Sequence, residues 1–122
     1  SKFFKKIKNI GIKLNFFLNK QIKNKKIIHA YGASTKGNTL LQFFKIGKKQ
    51  ISFISDRNPD KFGLKTPGTN ITIISEKESR AKNPDFYLVL PWHFKNEILK
   101  RELKIRKKGT KFIFPLPYLK II

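Results

Sequence analysis

The sequence predicts an α/β domain, a small doubly wound and mostly parallel sheet of about five strands preceded by an amphipathic helix. Three observations predict it. Apolar residues recur at helical spacing across the first 24 positions. Beyond them, short apolar runs alternate with helical stretches. The first of these runs ends in a turn framed by Gly32 and Gly37 that leads into a helix. A chain of 122 residues can bury one core around one sheet and has no room for a second such domain. The expected division is residues 1–24 as the helix and 25–122 as the α/β unit.

The elements follow in order. Phe3, Ile7, Ile10, Leu14 and Phe17 step by four and three, which puts them on one stripe of a helix over Lys2–Asn24. Gly11 weakens that helix by roughly 1 kcal/mol. Ile12 and Phe16 fall on the opposite side: either they are ordinary exposed apolar residues of a helix packed on its own domain, or the helix also meets another domain, a subunit or a membrane surface. Ile27–Tyr31 reads as the first strand, Thr35–Phe44 as a helix with Leu40, Leu41 and Phe44 inward, and Ile51–Ser55 as a second strand after a stop at Gly47. Asp56–Gly68 carries two Pro and two Gly and reads as a loop. Ile71–Ile74 fits a third strand, Ser75–Ala81 a short helix opened by a Ser cap with Glu three residues on, and Phe86–Leu90 a fourth strand. Pro91 opens a helix whose inner face is Phe94, Ile98, Leu99 and Leu103, and Gly109 ends it. Lys111–Phe114 is the last strand before the stop Pro115-Leu116-Pro117.

Composition excludes more than it identifies. The net charge of +21 predicts attraction to polyanions. Of the 28 basic residues, however, 24 are Lys and four are Arg, whereas readers of phosphate and base edges lean on the planar Arg fork. The Lys are spread along the whole chain, so a dedicated nucleic-acid role is disfavoured. Without Cys there is no disulfide, thiolate metal site or Cys nucleophile, and His29 and His93 alone do not make a zinc site; no metal is expected. No apolar run reaches about 18 residues and no signal-peptide pattern opens the chain, which predicts a cytoplasmic protein with no transmembrane segment. Nothing in the sequence fixes an oligomeric state.

In an open α/β sheet, ligands lie beyond the carboxyl ends of the strands, where strand order reverses. The turn Gly32-Ala33-Ser34-Thr35-Lys36-Gly37 has the length of the dinucleotide fingerprint, with Ser34 in place of its middle Gly. The middle Gly admits a pyrophosphate close to the backbone, so Ser34 favours a ligand bound through its hydroxyl or held further out. The helix N-terminus adds amides and partial positive charge, and Lys36 a full one. Alternatively, the two glycines serve only a tight turn and close helix–strand packing. Asp56 lies 19 residues beyond Gly37, where such folds place an acid on ribose hydroxyls; the alternative is a cap on the loop that holds Arg57 and Asn58. Trp92 is a stacking platform or a core residue. His93 is an acid–base candidate without an orienting carboxylate, and His29 inside the first strand is a packed core residue.

YGASTKGNTLL, SDRNPDKFGLKTPGTNITI, PDFYLVLPWHFKNEI and KFIFPLP resemble, in order and spacing, the C-terminal domain of sugar C-methyltransferases, over roughly Lys26–Pro117. The resemblance implies a Rossmann-like third domain that helps enclose a nucleotide-sugar, with Gly32, Ser34, Lys36, Gly37, Asn38 and Thr39 around the ligand and Asp56, Arg57, Trp92 and His93 framing it. It implies S-adenosylmethionine as the family's methyl donor, bound on a central domain that this chain does not match, and a catalytic domain or partner chain. The isolated chain is expected to catalyse nothing, and no cofactor is assigned to it. His93 departs from the Asn of the family's Pro-Trp-Asn pattern. Two other readings remain open: a stand-alone nucleotide- or S-adenosylmethionine-binding protein, and a basic nucleic-acid-binding protein.

Overall fold

The computed structural model describes residues Ser1–Ile122. Helix α1 spans Lys2–Lys23 and is capped by the Ser1 hydroxyl, which accepts from the Phe4 amide. Five parallel strands follow, β1 (Ile28–Tyr31), β2 (Phe53–Asp56), β3 (Ile73–Ser75), β4 (Phe86–Val89) and β5 (Lys111–Phe114). Among them lie α2 (Thr35–Phe44), α3 (Glu76–Ala81), α4 (Lys95–Arg101) and α5 (Leu103–Lys107). A sixth strand, β6 (Lys120–Ile121), closes one edge antiparallel to β5. The order β3-β2-β1-β4-β5-β6 is that of a Rossmann-like doubly wound sheet, with the reversal between β1 and β4. No helix is long and apolar enough to cross a membrane.

Both faces of the sheet are covered, so its strands read as continuous apolar runs rather than alternating ones. On one face Ile28, Ala30 and Leu88 pack against Ile10, Leu14 and Leu18 of α1 and Leu41 and Phe44 of α2. Helix α1 thereby contributes to the same core as the sheet. On the other face Tyr31, Tyr87, Val89 and Phe112 pack against Ile98 and Ile105.

Several sequence expectations are corrected. Phe3 is 73% exposed, because the first turn of α1 projects past the core. Gly11 is a packing position: a Cβ there would sit 2.6 Å from the Phe44 ring, so the missing side chain sets how closely α1 and α2 approach. Helix α2 stops at Lys45, in the left-handed conformation at φ 58°, two residues before Gly47. Strands β2 and β3 each start two residues later than their apolar runs, although Ile51 and Ile71 are fully buried just ahead of them. The single helix expected after Pro91 is a 3₁₀ turn over Trp92–Phe94 followed by α4 and α5. The tighter turn shifts the phase of the apolar stripe. Phe94 and Leu103 consequently face outward at 58% and 46% exposure, and Glu102 and Ile105 take the inner positions.

Candidate functional site

The turn after β1 is held by its own small residues. Gly32 has φ +90° and lies against Pro91, whose Cδ would be 3.0 Å from an added Cβ. Ser34 caps α2, its hydroxyl oxygen accepting from the Gly37 amide at 3.0 Å, with the hydroxyl proton left to donate. Gly37 lets α2 approach the end of β4, since a Cβ there would meet Leu90 at 2.7 Å. Asn38 is buried, donating to the Pro67 carbonyl and accepting from the Thr69 hydroxyl, which fastens the loop before β3 to α2. The Thr39 hydroxyl donates to the Thr35 carbonyl. Among the amides of this turn those of Ser34, Thr35 and Lys36 have no partner in the chain. Lys36 Nζ stands 5.6 Å from the centroid of the half-buried Trp92 ring, which joins the helix start to the segment after β4.

Asp56 ends β2 as a brace between loops. One carboxylate oxygen accepts from the Ala33 amide at 2.9 Å and the other from the Asn58 amide at 2.8 Å, while Lys61 donates to the Ala33 carbonyl. Beside it opens a cleft of about 380 Å³ at the carboxyl ends of β1 and β2, reached by Gly32, Asp56 and Arg57 of the sequence-predicted set. Its wall also includes Glu76 from α3, and Phe94, Glu97 and Arg101 from the segment after β4. Ser55 lines it from the sheet, and the Ser55 hydroxyl is buried with no hydrogen-bond partner.

Beneath the cleft lies an ionic network that the sequence did not announce. Glu102 is 2% exposed and accepts both arms of the Arg80 fork at 2.8 and 2.7 Å, together with the Tyr31 hydroxyl at 2.6 Å. Arg101 donates to the Tyr31 oxygen at 3.1 Å and pairs with Glu76. One Glu76 oxygen also faces Arg57 at 3.6 Å and Arg80 at 3.9 Å. Burial alone would raise the Glu102 pKa, but the bonds from Arg80 and Tyr31 outweigh it and hold the carboxyl below its ordinary value. Burial, then the bond to Glu102, pushes the Tyr31 hydroxyl far above the usual tyrosine range. Tyr31 is therefore a neutral donor here and not a base. Three of the chain's four Arg and four of its seven acids meet at this cleft or just under it.

Trp92 and His93 stack on each other at 4.6 Å and line a second groove of about 560 Å³ with Phe114 and Tyr118; Glu97 is common to both openings. The predicted residues thus fall into three groups: Gly32, Asp56 and Arg57 at the first cleft, Trp92 and His93 at the second groove, and the Ser34–Thr39 turn between β1 and α2. His29 is a core residue. Its Nδ1 bonds the Ser79 hydroxyl at 2.7 Å, and burial together with Lys82 lowers its pKa to about 4. Sequence reasoning missed Ser55, Glu76 and Arg101. Ser55 directly precedes Asp56 at the strand end, which is its one sequence signal, whereas the other two converge only through helix packing.

A family described as the C-methyltransferase C-terminal domain matches residues 1–117 of this chain. C-methyltransferase NovU of Streptomyces niveus is 37% identical over 97 residues, which cover 80% of this chain and 23% of that protein. This chain belongs to the C-methyltransferase C-terminal domain family. The match takes in α1 as well as β1 to β5, in keeping with the core that α1 and the sheet share. As a C-methyltransferase C-terminal domain, the chain spans less than a quarter of the length of the curated relative that it matches.

Proposed function

We propose that this domain binds the nucleotide-sugar substrate of a sugar C-methyltransferase and does not itself transfer the methyl group. The observation that carries this reading is the unpartnered Ser55 hydroxyl at the cleft of about 380 Å³, at the strand ends where open α/β sheets hold ligands. Donors (Arg57, Arg101) and acceptors (Asp56, Glu76, Glu97) on one wall with Phe94 beside them suit a hydroxylated ring with an apolar face. The Ser34–Thr39 turn, with its free Thr35 and Lys36 amides and the Lys36 charge, suits the diphosphate, and Trp92 and His93 offer a stacking surface nearby.

S-adenosylmethionine fits this chain less well. It carries no diphosphate for the free amides of the Ser34–Thr39 turn and the Lys36 charge to hold. The methyl donor is assigned here to the part of the enzyme that lies outside the match.

Calorimetry with a deoxythymidine-diphosphate deoxysugar tests the reading. Ser55→Ala should weaken binding about five- to tenfold while leaving the melting temperature unchanged or slightly raised, because it removes a buried unpaired hydroxyl. Lys36→Ala should weaken it several-fold, more so at low salt. A well-folded protein that binds no nucleotide-sugar, or one that titrates with S-adenosylmethionine alone, would sink it.

A further inference from the structure

The flank of α1 that faces α2 is apolar, concave and exposed. Phe4 and Ile12 are 54% and 60% exposed, and Phe43 of α2 is 46% exposed. Phe4 and Phe43 meet edge to face at 5.8 Å, so the two helices present one surface. Between them runs a groove of about 580 Å³ floored by Gly11 and Phe44, with Asn15 and Asn19 along one side. A contiguous apolar patch of this kind marks an interaction site rather than scattered surface residues. Helix α1 carries seven Lys and no acidic residue, and Lys8 and Lys45 border the groove itself.

We infer that this groove docks the remaining portion of the C-methyltransferase, through an apolar ridge flanked by acidic side chains. The inference rests on the domain reading above. The occupant follows from three observations. The family match covers α1, and the curated relative devotes 77% of its length to sequence outside the match, a portion that this domain must contact to share a substrate with it. The seven Lys of α1, with no acidic residue among them, select an acidic counterpart. It also opposes a second copy of this chain, since two such helices would bring like charges together. A lipid surface is the weaker match, because the Asn19 amide nitrogen in the groove wall has no partner in the chain and acyl chains offer it no acceptor.

The test pairs this chain with the C-methyltransferase NovU polypeptide lacking its matched segment, first shown to be folded by circular dichroism and a cooperative melt, and follows the mixture by sedimentation velocity. A one-to-one complex is expected, weaker at high salt, and reduced at least about tenfold by the double variant Phe4→Asp/Ile12→Asp. The variant should melt with the parent chain, as both side chains lie mostly in solvent. It should also bind nucleotide-sugar as the parent does, since neither residue lines either cleft. Failure of the ligand reading alone would therefore appear in calorimetry with the complex intact. Absence of a complex, or a complex indifferent to the variant, overturns the inference. So does self-association, or pelleting with phosphatidylserine vesicles, that the variant abolishes.

Discussion

Glu102 carries its charge in a place where water cannot reach it, and the cost is offset only because Arg80 and Tyr31 satisfy it from two sides. Removing that carboxylate leaves a half-buried guanidinium and a buried hydroxyl without their partner. Glu102→Ala should therefore cost about 3 kcal/mol in urea unfolding. Glu76→Ala, on a side chain nearer the solvent, should cost less than about 1 kcal/mol. The acid limb of stability has two parts. His29 titrates at about 4 in the folded chain against 6.5 in the unfolded one, so the unfolded state binds the extra proton between those values. Stability should fall as pH drops from 6.5 to about 4, by on the order of 3 kcal/mol. Glu102, with its folded pKa held below 4.5, adds a further loss as pH falls through that lower value. Denaturation midpoints across pH 7 to pH 4 should flatten in His29→Phe, and an unchanged slope would remove His29 as the cause.

At the scale of elements, two glycines that look like helix breakers act as spacers. Alanine at position 11 gains about 1 kcal/mol of helix propensity, but it places a methyl group 2.6 Å from the buried Phe44 ring. Overpacking wins by magnitude, and Gly11→Ala should lower stability by about 1–2 kcal/mol net. Gly11→Ala combined with Phe44→Leu should recover part of the loss, which thermal melts of the four proteins would show. Gly37 follows the same logic against Leu90, and Gly32→Ala adds the strain of φ +90°. The helix after Pro91 shows the limit of periodicity. A 3₁₀ start and a break at Glu102 rotate the inner stripe, and Ile98 and Ile105 are the residues that end up against Tyr31, Tyr87 and Phe112 of the sheet.

For the whole molecule, the charge of +21 is spread while the cleft is not basic. Asp56, Glu76 and Glu97 face Arg57 and Arg101 there, whereas α1 carries seven Lys and no acidic residue. Binding to duplex DNA should be weak, insensitive to sequence and lost between about 50 and about 200 mM salt. Fluorescence anisotropy checks this, and a salt-resistant or sequence-selective complex would contradict it. The sequence alone determined the α/β class, the position of nearly every element and the motif segments that mark the family, because those are written in local periodicity, capping residues and spacing along the chain. It also located the turn at Gly32–Gly37 and Asp56 at the strand end. Tertiary structure alone decided that Asp56 reaches the Ala33 amide of the neighbouring turn, that Ser55 is left unpaired beside it, and that Glu102 with Arg80, and Glu76 with Arg101, are neighbours. Those partners come from elements 22 or more residues apart. Pattern along a chain records which face a residue lies on; which residue it meets is fixed only when the faces pack.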